Sequence, residues 1–263
     1  MARAKRHYIP GQIWHITHRC HKREFLLKFA KDRKRWLHWL YEAKKRYGLV
    51  ILNYAVTSNH IHLIVVGDKE RDVIPDSIKL IAGRTGQEFN QRKNRKGAFW
   101  EDRYHATAIE SGDHLLKCLV YIDLNMVRAR VVDHPSEWPF CGYNEIQEPK
   151  RKKVLIDYDE LTRLIGFDSY DEVQKYHKRW VDAYLGDGKN IRDEKWTRSI
   201  AVGNRSFVER VKSLMGVLAI GRKSIEAGET YQLREPAVPY GDHFGVKKGN
   251  IGAKNTYFWD VIL

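Results

Sequence analysis

"LVILNYAVTSNHIHLIVV", residues 49–66, sets two apolar runs either side of a short polar gap. Two runs rich in β-branched and aromatic residues flank the small polar triplet Thr57-Ser58-Asn59, so the stretch predicts a β-hairpin closed by a tight turn. Successive side chains of a strand alternate faces. His60 and His62 therefore share one face with Ile64 and Val66, while Ile61, Leu63 and Val65 take the other. Two imidazoles side by side suit a divalent metal that needs neighbouring nitrogen ligands; they equally suit the wet edge of a sheet.

The flanking sequence extends this pattern. "QIWHITHR" (12–19) alternates Trp14 and Ile16 with polar neighbours, as a strand does. "AKDRKRWLHWLYEAKKRYG" (30–48) places Trp36, Leu37, Leu40 and Tyr47 on one side of a helix that stops at Gly48. A second helix is expected over 75–90, with Ile78, Ile81, Thr85 and Phe89 at helical spacing, although Gly83 and Gly86 weaken it. "RYHATAIE" (103–110) alternates again. The order β-α-β-β-α-β is the split βαβ pattern of ferredoxin-like folds. It predicts an α+β architecture with two helices on one face of a four-stranded antiparallel sheet and the other face available. RNA-recognition domains share that order, so topology alone chooses no function.

The next helix, "SGDHLLKCLVYIDLNMVRARVV" (111–132), has Ser111 or Asp113 as a plausible N-cap. At about 100° per residue Leu115, Leu119, Ile122 and Met126 fall on one stripe, and Lys117, Tyr121, Asn125 and Arg128 on the opposite one. Tyr121 and Asn125, four apart, are neighbours between two cations. A phenol, an amide oxygen and two phosphate-binding cations suit chemistry on a phosphodiester; an ordinary amphipathic helix is the plainer alternative. Asp123 lies in the apolar arc, where a buried pair with an arginine is expected.

The chain has 263 residues and a formal net charge of +14, a balance that points to polyanionic partners, with nucleic acid first among them. Residues 1–50 carry 14 Lys and Arg against three acids, so the excess is concentrated there. Arg3, Lys5, Arg6, Arg19, Lys22 and Arg23 are DNA-binding candidates, joined by Arg103, Lys117 and Arg128 around the tyrosine helix. The three cysteines, Cys20, Cys118 and Cys141, are widely spaced and suggest neither a disulfide framework nor a Cys-x-x-Cys zinc site. No run of about 18 apolar residues occurs, and no apolar segment follows the charged N-terminus. A cytoplasmic protein without membrane partners is expected.

Taken as a set, the His60-Ile61-His62 strand, "FWEDRYHATAI" (99–109) and "YIDLNMVRA" (121–129) resemble the single-tyrosine HUH transposases, in particular the REP-associated tyrosine transposase branch. The resemblance spans roughly residues 8–145. It implies a metal-dependent DNA strand transferase with His60, His62 and Asn125 as metal ligands and Tyr121 as nucleophile. The Gly-Thr-Ser motif usual near the N-terminus of that branch is absent; the comparable stretch reads "ITHR" (16–19). The chemistry agrees. A tyrosine of pKa about 10 is a poor nucleophile at neutral pH, but a divalent ion polarising the scissile phosphate would stabilise the transition state. Two imidazoles and an amide oxygen form a harder ligand set than a zinc site and would accept Mg²⁺ or Mn²⁺. The expected substrate is DNA that is single-stranded at the cut, or beside a hairpin, and a homodimer is admitted. Trp100 and Tyr104 could stack on bases or serve the core.

Residues 1–145 are thus expected to form the catalytic domain. A linker and small helical module would follow over 146–220, and an extended Gly- and Pro-rich tail over 221–263. Two other functions compete with the transposase: a non-catalytic nucleic-acid binder on the same topology, and an HUH replication initiator. The strands hold no aromatic-rich pair of the RNA-recognition kind, and only an enzyme accounts for His60, His62, Tyr121 and Asn125 together.

Overall fold

The predicted hairpin forms: strand β2 (Val50–Val56) pairs antiparallel with β3 (His60–Val66), with Ala55 opposite His62. The Thr57 N–H closes the turn by donating to the His60 carbonyl at 3.0 Å. These strands belong to a computed structural model that describes residues 9–67, 71–186, 192–228 and 230–234. Strand β1 (Ile13–Arg19) lies on the other side of β3 and also pairs antiparallel with β4 (His105–Ile109), completing the ferredoxin-like order β2-β3-β1-β4. Helix α1 (Ala30–Tyr47) joins β1 to β2 and ends where the sequence says it should. Gly48 adopts φ 68°, a left-handed conformation that only glycine takes without strain.

Helix α2 (Val73–Arg92) joins β3 to β4 and packs against α1. Gly86, a weak point for helix propensity, has a packing reason: a Cβ there would come within 3.0 Å of the Phe99 Cβ. Trp36 and Leu40 from α1 are almost fully buried with Ile16 and Leu63 from the sheet, which is the layered core the apolar periodicity predicts. Trp100 and Tyr104 also serve the fold. The Trp100 indole N–H donates to the Ala82 carbonyl at 3.0 Å and its ring stacks on His18, while Tyr104 is buried.

The tyrosine helix comprises α3 (Asp113–Asp123) and α4 (Asn125–Arg128), interrupted at Leu124. The interruption is slight. Arg128 N–H still bonds the Leu124 carbonyl at 2.9 Å, so Tyr121 and Asn125 keep their helical offset. Neither Ser111 nor Asp113 caps the helix by its side chain; Gly112, at φ 70°, occupies the cap position. Among the described residues Asp123 pairs with no arginine. Its carboxylate accepts from Asn53 Nδ2 at 3.0 Å and lies 2.8 Å from His177 Nε2, and all three residues are buried. The partner comes from a helix distant in sequence, which local spacing does not reveal.

After α5 (Tyr143–Gln147), α6 (Tyr158–Ile165), α7 (Tyr170–Gly186) and the four-residue α8 (Lys195–Arg198), the chain returns to the sheet. Strand β5 (Ala201–Gly203) runs parallel beside β4, helix α9 (Arg205–Met215) follows, and β6 (Lys223–Ala227) and β7 (Thr230–Arg234) form a hairpin whose β7 pairs with β5. The four-stranded sheet is therefore corrected to a seven-stranded one among the described residues, ordered β2-β3-β1-β4-β5-β7-β6. The outer edge of β4 has backbone groups to satisfy, and three residues of β5 suffice to pair them, too few to show alternation in the sequence. The helical module over 146–220 thus also supplies a strand, and the tail expected from residue 221 begins as a hairpin; residues 235–263 lie outside the described residues. The sheet face expected to stay available is covered by the tyrosine helix, because Tyr121 reaches His62 there.

Candidate active site

The β1–β3 register places Thr17 opposite His62 and Arg19 opposite His60, so these four share one face, with His15 two residues along β1. The α3–α4 helix crosses that face. Asn125 brings its side-chain amide nitrogen to 3.0 Å from His62 Nε2, and the Tyr121 ring stands edge-on to His62 at 6.1 Å between centroids. The His60 and His62 rings are 4.9 Å apart. Two strand positions and two helix positions read as separate patterns thus meet at one place.

They line a cleft of about 950 Å³ whose walls are strongly basic. Of the DNA-binding candidates, Arg19, Arg23, Arg103 and Arg128 line it. Lys117 stands in an adjoining pocket with Tyr121 and approaches the Trp180 ring at 6.0 Å. Lys22 lines neither and sits in a tight 3₁₀ turn at φ 51°. Arg3, Lys5 and Arg6 lie outside the described residues. The cleft residues that were not anticipated include Arg192, Thr197 and Arg198, from the C-terminal region. No motif marks them, because they reach the site only through the folding-back of the chain onto β4.

Burial controls the electrostatics. It pushes His60 down to about 4, helped by Arg19, Arg192 and Arg128, and pushes His62 well below the ordinary imidazole range, with His60 and His15 adding to the effect. His15, fully buried, falls to about 3 for the same first reason. All three rings are neutral at pH 7, the form that ligates metals. Burial also raises Tyr121, against the pull of Arg128 and Arg192, so its phenol holds its proton at rest. The Arg128 guanidinium lies 4.2 Å over the Tyr121 ring, while Trp196 tilts against it at 6.1 Å. Burial lowers Arg128 to about 10, which leaves it charged.

Hydrogen bonding around His60 tests whether these residues suit a metal. Thr57 Oγ1 spends its only proton on the His60 carbonyl at 2.8 Å, so it can only accept from His60 Nδ1, 2.9 Å away. Asn59 turns its NH₂ to the Arg23 carbonyl and its oxygen to the same Nδ1 at 2.7 Å. With Nδ1 donating, the neutral ring keeps a bare Nε2, as ligation requires. Among the described residues no three or more His, Cys, Asp and Glu gather to hold a metal, so the third donor here would be the Asn125 amide.

Among the described residues the chain is thus a seven-stranded α+β sheet with a His-x-His strand facing a Tyr-x-x-x-Asn helix. Residues 9–125 match the family model described as "Transposase IS200 like", so the transposase resemblance read from the sequence holds over that stretch. No curated protein matches the chain. Among solved structures, a REP-associated tyrosine transposase bound to a REP hairpin is similar at 21% identity, covering 60% of this chain and 95% of that one with a TM-score of 0.47. A putative transposase from Deinococcus radiodurans R1 is similar at 17% identity, covering 43% of this chain and 89% of that one with a TM-score of 0.32. No helix of the described residues is long and apolar enough to cross a membrane, and Cys20, Cys118 and Cys141 are free and buried.

Proposed function

We propose that this protein cuts and rejoins DNA strands at sites unpaired or beside a hairpin, with Tyr121 as nucleophile and Mg²⁺ or Mn²⁺ held by His60, His62 and Asn125. The observation that carries this reading is the convergence of Tyr121 and Asn125 on His62, beneath a rim of arginines. A bound ion would supply charge neutralisation at the scissile phosphate. Arg19, Arg23 and Arg103 would hold the flanking phosphates. The Tyr121 oxygen attacks phosphorus and its proton passes to solvent water as the P–O bond forms. The bond to the 3′ oxygen breaks, and that oxygen leaves as a hydroxyl after taking up a proton from solvent water. The strand is then joined to Tyr121 through a 5′-phosphotyrosine. The diester is conserved, so a 3′-hydroxyl from another strand can reverse the step without ATP. In this reading residues 1–145 carry the chemistry, while 146–220 and 221–263 support it.

The test is incubation with a pool of labelled single-stranded oligonucleotides and Mn²⁺, resolved under denaturing conditions. A labelled band at the mass of protein plus DNA is expected. Cleavage with no covalent species at any time point would replace the tyrosine nucleophile with activated water.

A further inference from the structure

We infer that His15 and the main-chain carbonyl of Trp196 form a relay that sets the tautomer of His62, making the C-terminal region part of the metal site. The inference rests on the reading of His62 as a metal ligand. Its physical content, which nitrogen of His62 carries the proton, can be measured without any metal.

The chain of reasoning begins at the carbonyl. Trp196 lies in the short helix α8, whose last carbonyls lack intrahelical partners. His15 Nδ1 sits 2.8 Å from the Trp196 oxygen, and a carbonyl only accepts, so His15 carries its proton on Nδ1. A neutral imidazole has one N–H, which leaves His15 Nε2 a bare acceptor. That atom lies 2.9 Å from His62 Nδ1, so His62 must donate there and carry its proton on Nδ1 in turn. His62 Nε2 is thereby bare. The third contact agrees: the Asn125 amide nitrogen, a donor only, lies 3.0 Å from His62 Nε2. Three consecutive bonds, each constrained by the one before, end with an unprotonated His62 Nε2 that accepts from Asn125 at the cleft.

The relay is a fixture of the fold. His15 and Ser199 are fully buried, and the two imidazoles stack with centroids 5.1 Å apart. Thr107 Oγ1, on the neighbouring strand, donates to the Ser199 carbonyl at 2.7 Å and also reaches the Trp196 carbonyl at 3.2 Å, tying the α8 segment to β4. The two histidine ligands are thus preset by different devices. His60 is held by the hairpin turn it closes, and His62 by a segment more than 130 positions further along the chain. A ligand with a fixed tautomer meets the metal without first moving a proton, and loss of such outer partners typically weakens metal binding about 10- to 100-fold.

The experiment uses the full chain, metal-free and labelled with ¹⁵N-histidine, and reads the protonated nitrogen of His15 and His62 from long-range ¹H–¹⁵N correlations. Calorimetry with Mn²⁺ alone follows. In the wild type both rings are expected to carry the proton on Nδ1. His15→Phe, which keeps a buried ring but no acceptor, should move His62 into a mixture of tautomers and weaken Mn²⁺ binding about 10-fold. His15→Gln, whose amide oxygen can take the acceptor position, should restore the Nδ1–H form and most of the affinity. The relay is overturned if wild-type His62 carries its proton on Nε2, or if His15→Phe leaves the His62 tautomer unchanged. Should His15→Phe fail to fold, the wild-type and His15→Gln spectra decide alone. Wild-type tautomers as expected with no Mn²⁺ binding would support the relay and overturn the metal assignment instead.

Discussion

The side-chain amide of Asn125 donates to His62 Nε2 across 3.0 Å, so a helix residue occupies the lone pair that a strand residue would offer to a metal. The pair is self-satisfied without an ion, which keeps the buried His62 and the half-buried Asn125 partnered. With its amide oxygen read as a metal ligand, Asn125→Ala should weaken Mn²⁺ binding, measured by calorimetry, and slow strand cleavage while leaving Tyr121 the attacking residue. Undiminished Mn²⁺ affinity in this variant would remove Asn125 from the ligand set.

His60→Ala and His62→Ala should each abolish Mn²⁺-dependent cleavage while sparing most DNA affinity, which rests on the arginine rim. Electrophoretic binding and cleavage assays run on the same oligonucleotide separate the two effects. Equal loss of binding and cleavage would assign the histidines to DNA contact.

Tyr121→Phe removes one oxygen and keeps the ring that packs between Arg128 and Trp196. Stability, DNA binding and Mn²⁺ binding should persist, and both the cut and the covalent adduct should vanish. Cleavage at the wild-type rate would turn the protein into a plain nuclease.

Arg19 stands opposite His60 on the sheet and lines the cleft. Arg19→Ala should weaken single-stranded DNA binding evenly across sequences and reduce the slope of log affinity against log salt by about one. Titrations at several salt concentrations measure it, and an unchanged slope would place the DNA backbone elsewhere.

His177 and Asp123 meet at 2.8 Å with both side chains fully buried, anchoring the tyrosine helix to α7. His177→Ala leaves that carboxylate with Asn53 as its side-chain partner among the described residues and opens a cavity, so urea unfolding should report a loss of about 3–5 kcal/mol. A loss under about 1 kcal/mol would mean the network is solvated or dispensable.

Local periodicity was enough for the first four strands and for α1 and α2, because alternation and the 3.6-residue repeat are properties of neighbours in sequence. Gly48 marked the end of α1 by the same logic, through a backbone angle that other residues resist. The sequence also named His60, His62, Tyr121 and Asn125, since each pair sits on one element at the spacing that shares a face. Pairing across the sheet was beyond it. The three-residue β5 has no period to detect, and it exists because the β4 edge lacks backbone partners. Asp123 was legible as an anomaly in an apolar arc, but its partner His177 was not, because that contact spans 54 positions and depends on how α7 packs. His15 carried a strand signal and no functional one. Its place between the Trp196 carbonyl and His62 exists only where strand register and the return of the C-terminal segment coincide, and hydrogen-bond direction there is decided by three-dimensional neighbours alone.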